Sequence, residues 1–340
     1  MKKYFLKIFL MITLLFSLSP LFSCTKKDGN KITIAEVTHS LFYAPMYLAK
    51  EKGFFDDEGL NVEIITTPGA DKVMAALISK EADIGLMGPE ASVYNYVNGN
   101  KDYAINFAQL TQKDGSFLLG REKIEKFSYD LLKGSTIIGG RKGGMPEMTL
   151  EYVLKKAGLS ISQDVSNKEV DVRIRTDVSF DAVTGVFIAG ESDYATAFEP
   201  VGTQIEKAKK GYIIASIGEL LNENVPYTCF SSLKSYMNKN EDKLVKFTRA
   251  IKKGLTYINE NKIEDIIPYL KQDFSSSDDE ELTKVITNYL QIKAWPSTME
   301  FTKSSFDKLI DIVVLAGELN ESIKVPYEKL VTSKYIELSI

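Results

Sequence analysis

Histidine is almost missing from this chain: His39 is the only one in 340 residues. That excludes multi-histidine metal sites, and it excludes Ser-His-Asp chemistry unless His39 itself is the base. Cysteine occurs twice, at Cys24 and Cys229, with no CxxC pair and no HExxH spacing. A nucleotide P-loop is also lacking, since no GxxxxGK[ST] is present. Excess positive charge is absent as well. The formal net charge is −4 with no basic stripe, which gives no footprint for nucleic acid. No metal, no cofactor and no catalytic residue is therefore expected.

Long apolar runs are missing too, except at the start. Lys2, Lys3 and Lys7 precede the uncharged run Ile8–Leu18, and Leu21-Phe22-Ser23-Cys24 follows. A basic start, a short apolar core and a small residue before the cut form an export signal. The core is shorter than the roughly 20 residues of a spanning helix. A thiol directly after Ser23 resembles a bacterial lipobox, so residues 1–23 are expected to leave and Cys24 to carry lipid. An uncleaved anchor or an ordinary secretory signal is the plainer alternative. Cleavage removes three lysines and moves the charge from −4 to −7. Residues 24–30 then form a short lipidated tether. Only Cys229 remains, so no intrachain disulfide is expected, and stability must come from burial.

What is present is organised around residues 31–65. Lys31–Val37 alternates as a strand. Pro45 suits the first turn of a helix, where a missing N–H costs nothing. Gly53 suits the left-handed stop after Lys52, and Asn61–Ile65 reads as a second strand. In an open α/β sheet the loop between such a strand and helix lies where ligands bind. The segment APMYLAKEKGFFDDEGLNVEI (residues 44–64) resembles the opening of solute-binding proteins in the nitrate/sulfonate/taurine/thiamine-precursor superfamily of ABC importers. The same superfamily includes eukaryotic enzymes that make the thiamine pyrimidine. The resemblance runs from about Ile32 to about Leu330. It implies a two-lobed, type II periplasmic-binding-protein-like α/β fold, each lobe a mixed sheet flanked by helices. It also implies an extracytoplasmic monomer, held at the membrane by its lipid, that serves a separate permease and ATPase.

The rest of the chain continues as βα units. Helices are expected over Ala70–Lys80, Ala91–Val97, Pro146–Ala157 and Phe180–Ala189. Strands are expected over Asp83–Met87, Tyr103–Gln109, Asp171–Arg175 and Asp193–Phe198, and Lys133–Ile138 reads as turn into strand. Ile78–Gly85 (ISKEADIG) is echoed 110 positions later by Ile188–Ala195 (IAGESDYA), as though each lobe used one supersecondary unit. Leu244, Phe247, Ile251, Leu255 and Ile258 recur at spacings of three and four within an amphipathic helix over Lys239–Asn261. Further helices are expected over Glu280–Lys293 and Lys303–Gly317. With the resemblance, this gives a discontinuous first lobe, about 31–116 plus 226–340, around a second lobe of about 117–225. The two crossings would form a hinge.

Five stretches carry candidate ligand contacts, the first three each with a plainer reading. In Thr38–Tyr43, Ser40, Phe42 and Tyr43 suit a flat, hydrogen-bonding ligand, or else pack the helix onto the sheet. His39 there reads as structural. Gly69 and Glu90 open helices, where Glu90 either meets an amine or N–H-rich ring or serves the helix dipole. Gln109 and Gln112 both donate and accept, or are simply solvated. Arg141, Lys142, Gly143 and Gly144 form a glycine-rich loop with a planar donor fork before a helix, and the matching family loop contacts solute. Glu199 ends a strand as the counterpart of Glu90.

Arg141 and its loop lean towards an anion such as a sulfonate, taurine or nitrate. Glu90, Glu199, Phe42 and Gln109 lean towards a nitrogen heterocycle such as a thiamine-pyrimidine precursor, which is favoured. The alternatives to import are a pyrimidine-synthase-like enzyme and a surface sensor or adhesin. The related synthases need a cysteine-rich motif that this chain lacks.

Overall fold

The computed structural model describes residues 29–339. The expected export signal, Cys24 and the tether as far as Asp28 lie outside the described residues. Eleven strands are described. β1 (Lys31–Glu36), β2 (Asn61–Thr66), β3 (Ile84–Met87) and β4 (Ala104–Thr111) come first. β5 (Ser116–Gly120), β6 (Ser135–Ile138), β7 (Ile161–Ser162), β8 (Val172–Arg175), β9 (Tyr194–Phe198) and β10 (Tyr212–Ser216) follow, then β11 (Thr228–Leu233).

They form two mixed sheets, ordered β2-β1-β3-β11-β4 and β10-β5-β9-β6-β8-β7. β1 and β3 run parallel, and β11 is antiparallel to both β3 and β4. In the second sheet β6 is parallel to β8 and β9, while β5 is antiparallel to β9 and β10. Central strands such as β3 (IGLM) are buried on both faces, so they read as continuous apolar runs. This is a mixed α/β architecture with helices flanking both sheets.

The helices that matter below are α1 (Ala44–Glu51), α2 (Ala70–Ser79), α3 (Glu90–Val97), α4 (Met145–Lys156), α5 (Val183–Ile188), α6 (Val201–Lys207) and α7 (Ile217–Leu221). α8 (Glu241–Glu260), α9 (Ile263–Asp273), α10 (Asp279–Gln291) and α11 (Lys303–Leu315) make the C-terminal third. Pro45 lies in the first turn of α1, and Gly53 follows it at φ 73°. Among the described residues no helix is long and apolar enough to cross a membrane.

The echo is structural as well as textual. α2 ends at Lys80 with φ 63°, and α5 is followed by Gly190 with φ 84°. Asp83 Oδ2 accepts from the Thr33 N–H at 2.9 Å, and Asp193 Oδ2 accepts from the Thr136 N–H at 2.8 Å. In each sheet an aspartate thus ties the start of one strand to the turn leading into its parallel neighbour.

The chain passes from the first sheet to the second between Thr111 and Ser116, and returns between Ser216 and Thr228. The crossings run side by side, with Val225 N–H donating to the Gln112 carbonyl at 3.0 Å and Tyr227 N–H to the Thr111 carbonyl at 3.1 Å. Asp114, fully buried between them, accepts from Ser116 N–H at 2.7 Å and from the Thr149 hydroxyl at the start of the second sheet's α4.

α8 buries Leu244, Phe247, Ile251, Leu255 and Ile258. It packs tightly on α1, where a Cβ on Gly254 would sit 2.1 Å from the Pro45 carbonyl oxygen. Backbone cannot yield as a side chain can, so Gly254→Ala must push the two helices apart. We expect a loss of about 1–3 kcal/mol or more in urea unfolding, and an unchanged midpoint would contradict this packing.

Candidate functional site

A cavity of about 560 Å³ opens between loops from the two sheets. The first sheet supplies Thr38 and Tyr43 after β1, Asp71, Met74 and Ile78 on α2, and Glu90, Ala91 and Tyr94 on α3. The second supplies the loop 141–146, Phe180 and Phe198. Tyr227 and Thr228 complete the wall at the return crossing.

Glu90 is the chemical centre. It is 2% exposed, and its Oε2 makes no hydrogen bond. Burial pushes its carboxyl up to about 8, while its own N–H and that of Met145 pull partly back. At neutral pH the carboxyl therefore keeps its proton and can both donate and accept. Gly88 makes the space: a Cβ there would lie 2.0 Å from Oε2. Tyr227 adds a second buried polar atom, a hydroxyl turned towards Asp114. Burial, with Asp114 beside it, holds that phenol well above its ordinary value, so it stays neutral.

The rest of the wall is aromatic. Phe180 and Phe198 meet edge to face at 5.8 Å, and Phe198 lies 6.3 Å from Tyr227. Tyr94 donates its hydroxyl to the Gly143 carbonyl at 3.0 Å, a contact between α3 on the first sheet and the glycine loop of the second.

The glycine loop is used differently from the expected anion fork. Arg141 grips Asp71 with both arms, at 2.8 and 3.0 Å, and donates to the Pro68 carbonyl at 3.1 Å. Gly69 admits it: at φ +101° that residue already needs glycine, and a Cβ would lie 2.3 Å from Nη1. Lys142 sits 3.8 Å from Glu318. Gly143 N–H donates to Glu147 at 3.1 Å, so Gly143 and Gly144 line the wall as backbone. Arg141 and Asp71 are 42% and 55% exposed, and such a pair is worth about 1 kcal/mol or less. Arg141→Ala is accordingly expected to speed solute release no more than about fivefold in stopped-flow measurements. A hundredfold loss of affinity would instead mean that the guanidinium holds the solute directly.

Of the expected site residues, Tyr43, Gly69, Glu90, Arg141, Lys142, Gly143 and Gly144 line this cavity, and five others do not. Ser40 caps the turn Leu41–Tyr43 and donates to the Glu199 carbonyl at 2.8 Å. Phe42 is wholly buried against Tyr227 and Tyr289, and Gly115 leaves room for its ring. Gln109 lies buried in β4, donating to the Thr111 carbonyl at 3.2 Å. Gln112 donates to the Lys293 carbonyl at 3.1 Å and accepts from Asn224. Glu199, just before α6, is fully used by that helix and α10: it takes the Thr203 N–H and hydroxyl at 2.8 Å each, and Asn288 at 2.7 Å.

His39 lies outside the cavity, between Glu36 at 3.2 Å and the Asp273 carbonyl at 3.1 Å, stacked on Phe274. The sequence reading missed Tyr94, Phe180 and Tyr227 as wall residues. Tyr94 alone left a signal, since it lies one helical turn beyond Glu90.

Residues 42–264 match the family described as NMT1/THI5 like, and the chain belongs to that family. It is 40% identical over 327 residues to YtlA of Bacillus subtilis (strain 168), which is named as a binding protein, covering 96% of this chain and 94% of that one. It is 23% identical over 254 residues to a Saccharomyces cerevisiae protein, 4-amino-5-hydroxymethyl-2-methylpyrimidine phosphate synthase THI11, covering 69% of this chain and 70% of that one. The fold is that of periplasmic binding proteins. The alkanesulfonate-binding protein SsuA of Xanthomonas axonopodis pv. citri, bound to MOPS, superposes with a TM-score of 0.70 at 16% identity, over 89% of this chain and 98% of that one.

Proposed function

We propose that this chain is an extracytoplasmic, solute-binding lipoprotein of an ABC importer, anchored through Cys24, and that its solute is a small planar nitrogen base. The observation that carries the ligand class is Glu90: a buried carboxyl with an unpartnered oxygen on the wall of an aromatic cavity. Both cations on that wall face acids, Arg141 with Asp71 and Lys142 with Glu318, which argues against a sulfonate or nitrate. A ring nitrogen beside an amino group matches a carboxyl that holds one proton. The carboxyl O–H donates to the ring nitrogen while its second oxygen accepts from the amine. Tyr43, Phe180 and Phe198 offer faces and edges against which the ring packs.

The working parts are a first lobe of about 31–116 plus 226–340 and a second of about 117–225, hinged at the paired crossings. Closure brings together Arg141 with Asp71 and Tyr94 with Gly143, and a bound solute favours that state by touching both sides. The solute leaves unchanged for a permease and ATPase on separate chains. A thermal-shift screen of aminopyrimidines, taurine, alkanesulfonates and nitrate tests the ligand class. An aminopyrimidine should raise Tm in step with its concentration. Stabilisation by an anion alone would refute the reading.

A further inference from the structure

The cavity is longer than a single ring. Asp71, Met74 and Ile78 lie on one face of α2, and Glu90, Ala91, Tyr94 and Asn98 lie on one face of α3 and its cap. All seven line the same cavity. Both helices begin beside the loop 141–145, because Asp71 pairs with Arg141 and Glu90 lies by the Met145 N–H. From Asp71 to Ile78 the wall that α2 contributes runs about 10 Å at 1.5 Å per residue, one side of a furrow whose other side is α3.

The chemistry changes along that furrow. Its inner end carries the unpartnered Glu90 carboxyl. Ala91 sits beside it and Arg141 there is paired with Asp71, while the wall further along α2 is Met74 and then Ile78, with no charge. Its outer end is Asn98 and Asn100, both exposed and neutral. Ile78 is 51% exposed, an isoleucine on a cavity wall that the described residues leave half uncovered. A volume of about 560 Å³ falls within the range of about 300–1,000 Å³ typical of sites for ligands larger than one ring. A lone heterocycle at Glu90 would leave most of it unfilled, and Met74 is the adaptable kind of side chain that closes over a flexible chain.

We infer that the solute is bipartite: a planar nitrogen base at Glu90 bearing an uncharged apolar arm of about three or four carbons, which lies between α2 and α3 and covers Ile78. This rests on the reading of the solute as a nitrogen base and specifies what that base carries. Ile78 then becomes a specificity-determining residue, acting on the arm and not on the ring.

The test is isothermal titration of the purified chain with 4-amino-2-methylpyrimidine and its ring-alkylated derivatives, from methyl to butyl. Affinity should rise about fourfold per methylene, the ratio that burial of one CH₂ carries, and level off once the furrow is filled. The preference for the butyl over the unalkylated ring should fall at least fivefold in Ile78→Arg. Ile78→Ala, a smaller change at an exposed site, should lower it by a lesser amount. An unalkylated ring that binds while the arm adds nothing, or an unchanged preference in both variants, would overturn the arm and leave the base reading standing. Failure of every member of the series to bind would overturn both.

Discussion

Replacing Glu90 with alanine is expected to weaken binding of 4-amino-2-methylpyrimidine roughly 5- to 150-fold at pH 7. The range is that of losing the two neutral hydrogen bonds of the carboxyl, about 0.5–1.5 kcal/mol each. Glutamine at the same position should keep affinity within about tenfold, because its amide also donates to a ring nitrogen and accepts from an amine. The two variants separate through pH. In the native chain the carboxyl and the ring share one proton, and the empty carboxyl releases its own at about 8. Native affinity should therefore decline above about pH 8. In Glu90→Gln no proton can be lost there, and the profile should be flat. Equal binding by Glu90→Ala and the native chain would place the solute elsewhere. A decline persisting in Glu90→Gln would assign the proton to another group.

Stability should move with pH in an uncommon direction for an acidic chain. Burial holds four carboxyls above their ordinary values: Glu90 at about 8, Asp114 at about 6, Glu147, whose neighbour Glu151 pushes the same way, and Glu199, partly offset by its bonds to Thr203 and Asn288. Between about pH 4.5 and 8 the folded chain keeps protons that the unfolded chain has released, so stability falls as pH rises. Each group contributes roughly 1.4 kcal/mol per pH unit across the interval between its two values. His39, raised by its bond to Glu36, adds in the same sense, since its contribution is lost as pH rises through its folded value. The depressed carboxylates, Asp164, Asp171, Asp177, Asp181 and Asp278, act only below the ordinary aspartate range, outside this window. The urea midpoint of the solute-free chain should be higher at pH 5.5 than at pH 8.5, with part of the slope removed in Glu90→Gln. A midpoint rising with pH would mean these carboxyls are not buried as described.

Local signals made much of the fold legible. Pro45 and Gly53 bracket α1, alternation gives β1 and β2, and the echoed aspartates Asp83 and Asp193 perform one task in each sheet. Other elements left no local mark. α9 contains Pro268, whose ring removes one helical hydrogen bond, and tertiary packing of Ile266, Ile267 and Leu270 outweighs that cost. The expected helix over Phe180–Ala189 is confined to α5, because Ser179 and Asp181 hold a turn that leaves Phe180 on the cavity wall.

The site was half legible for a related reason. Glu90 and Glu199 both follow a buried strand and both open a helix, so their sequence contexts look alike. What separates them is the next turn: Glu199 finds Thr203 at the fourth position and, from far along the chain, Asn288. Glu90 finds Tyr94, which donates to Gly143 instead. Arg141 likewise looked free for an anion, since its partner Asp71 lies 70 positions away. Sequence order lists the polar groups of a cleft; only the fold decides which of them satisfy one another.

The most direct measurement is titration of the purified chain at pH 7 with 4-amino-2-methylpyrimidine, followed by release and recovery of the ligand for NMR. One equivalent should bind, with competition by other aminopyrimidines but not by taurine or nitrate, and the compound should be recovered in full and unchanged. A bound sulfonate or nitrate that excludes the pyrimidine, or a recovered compound that has been altered, would contradict this.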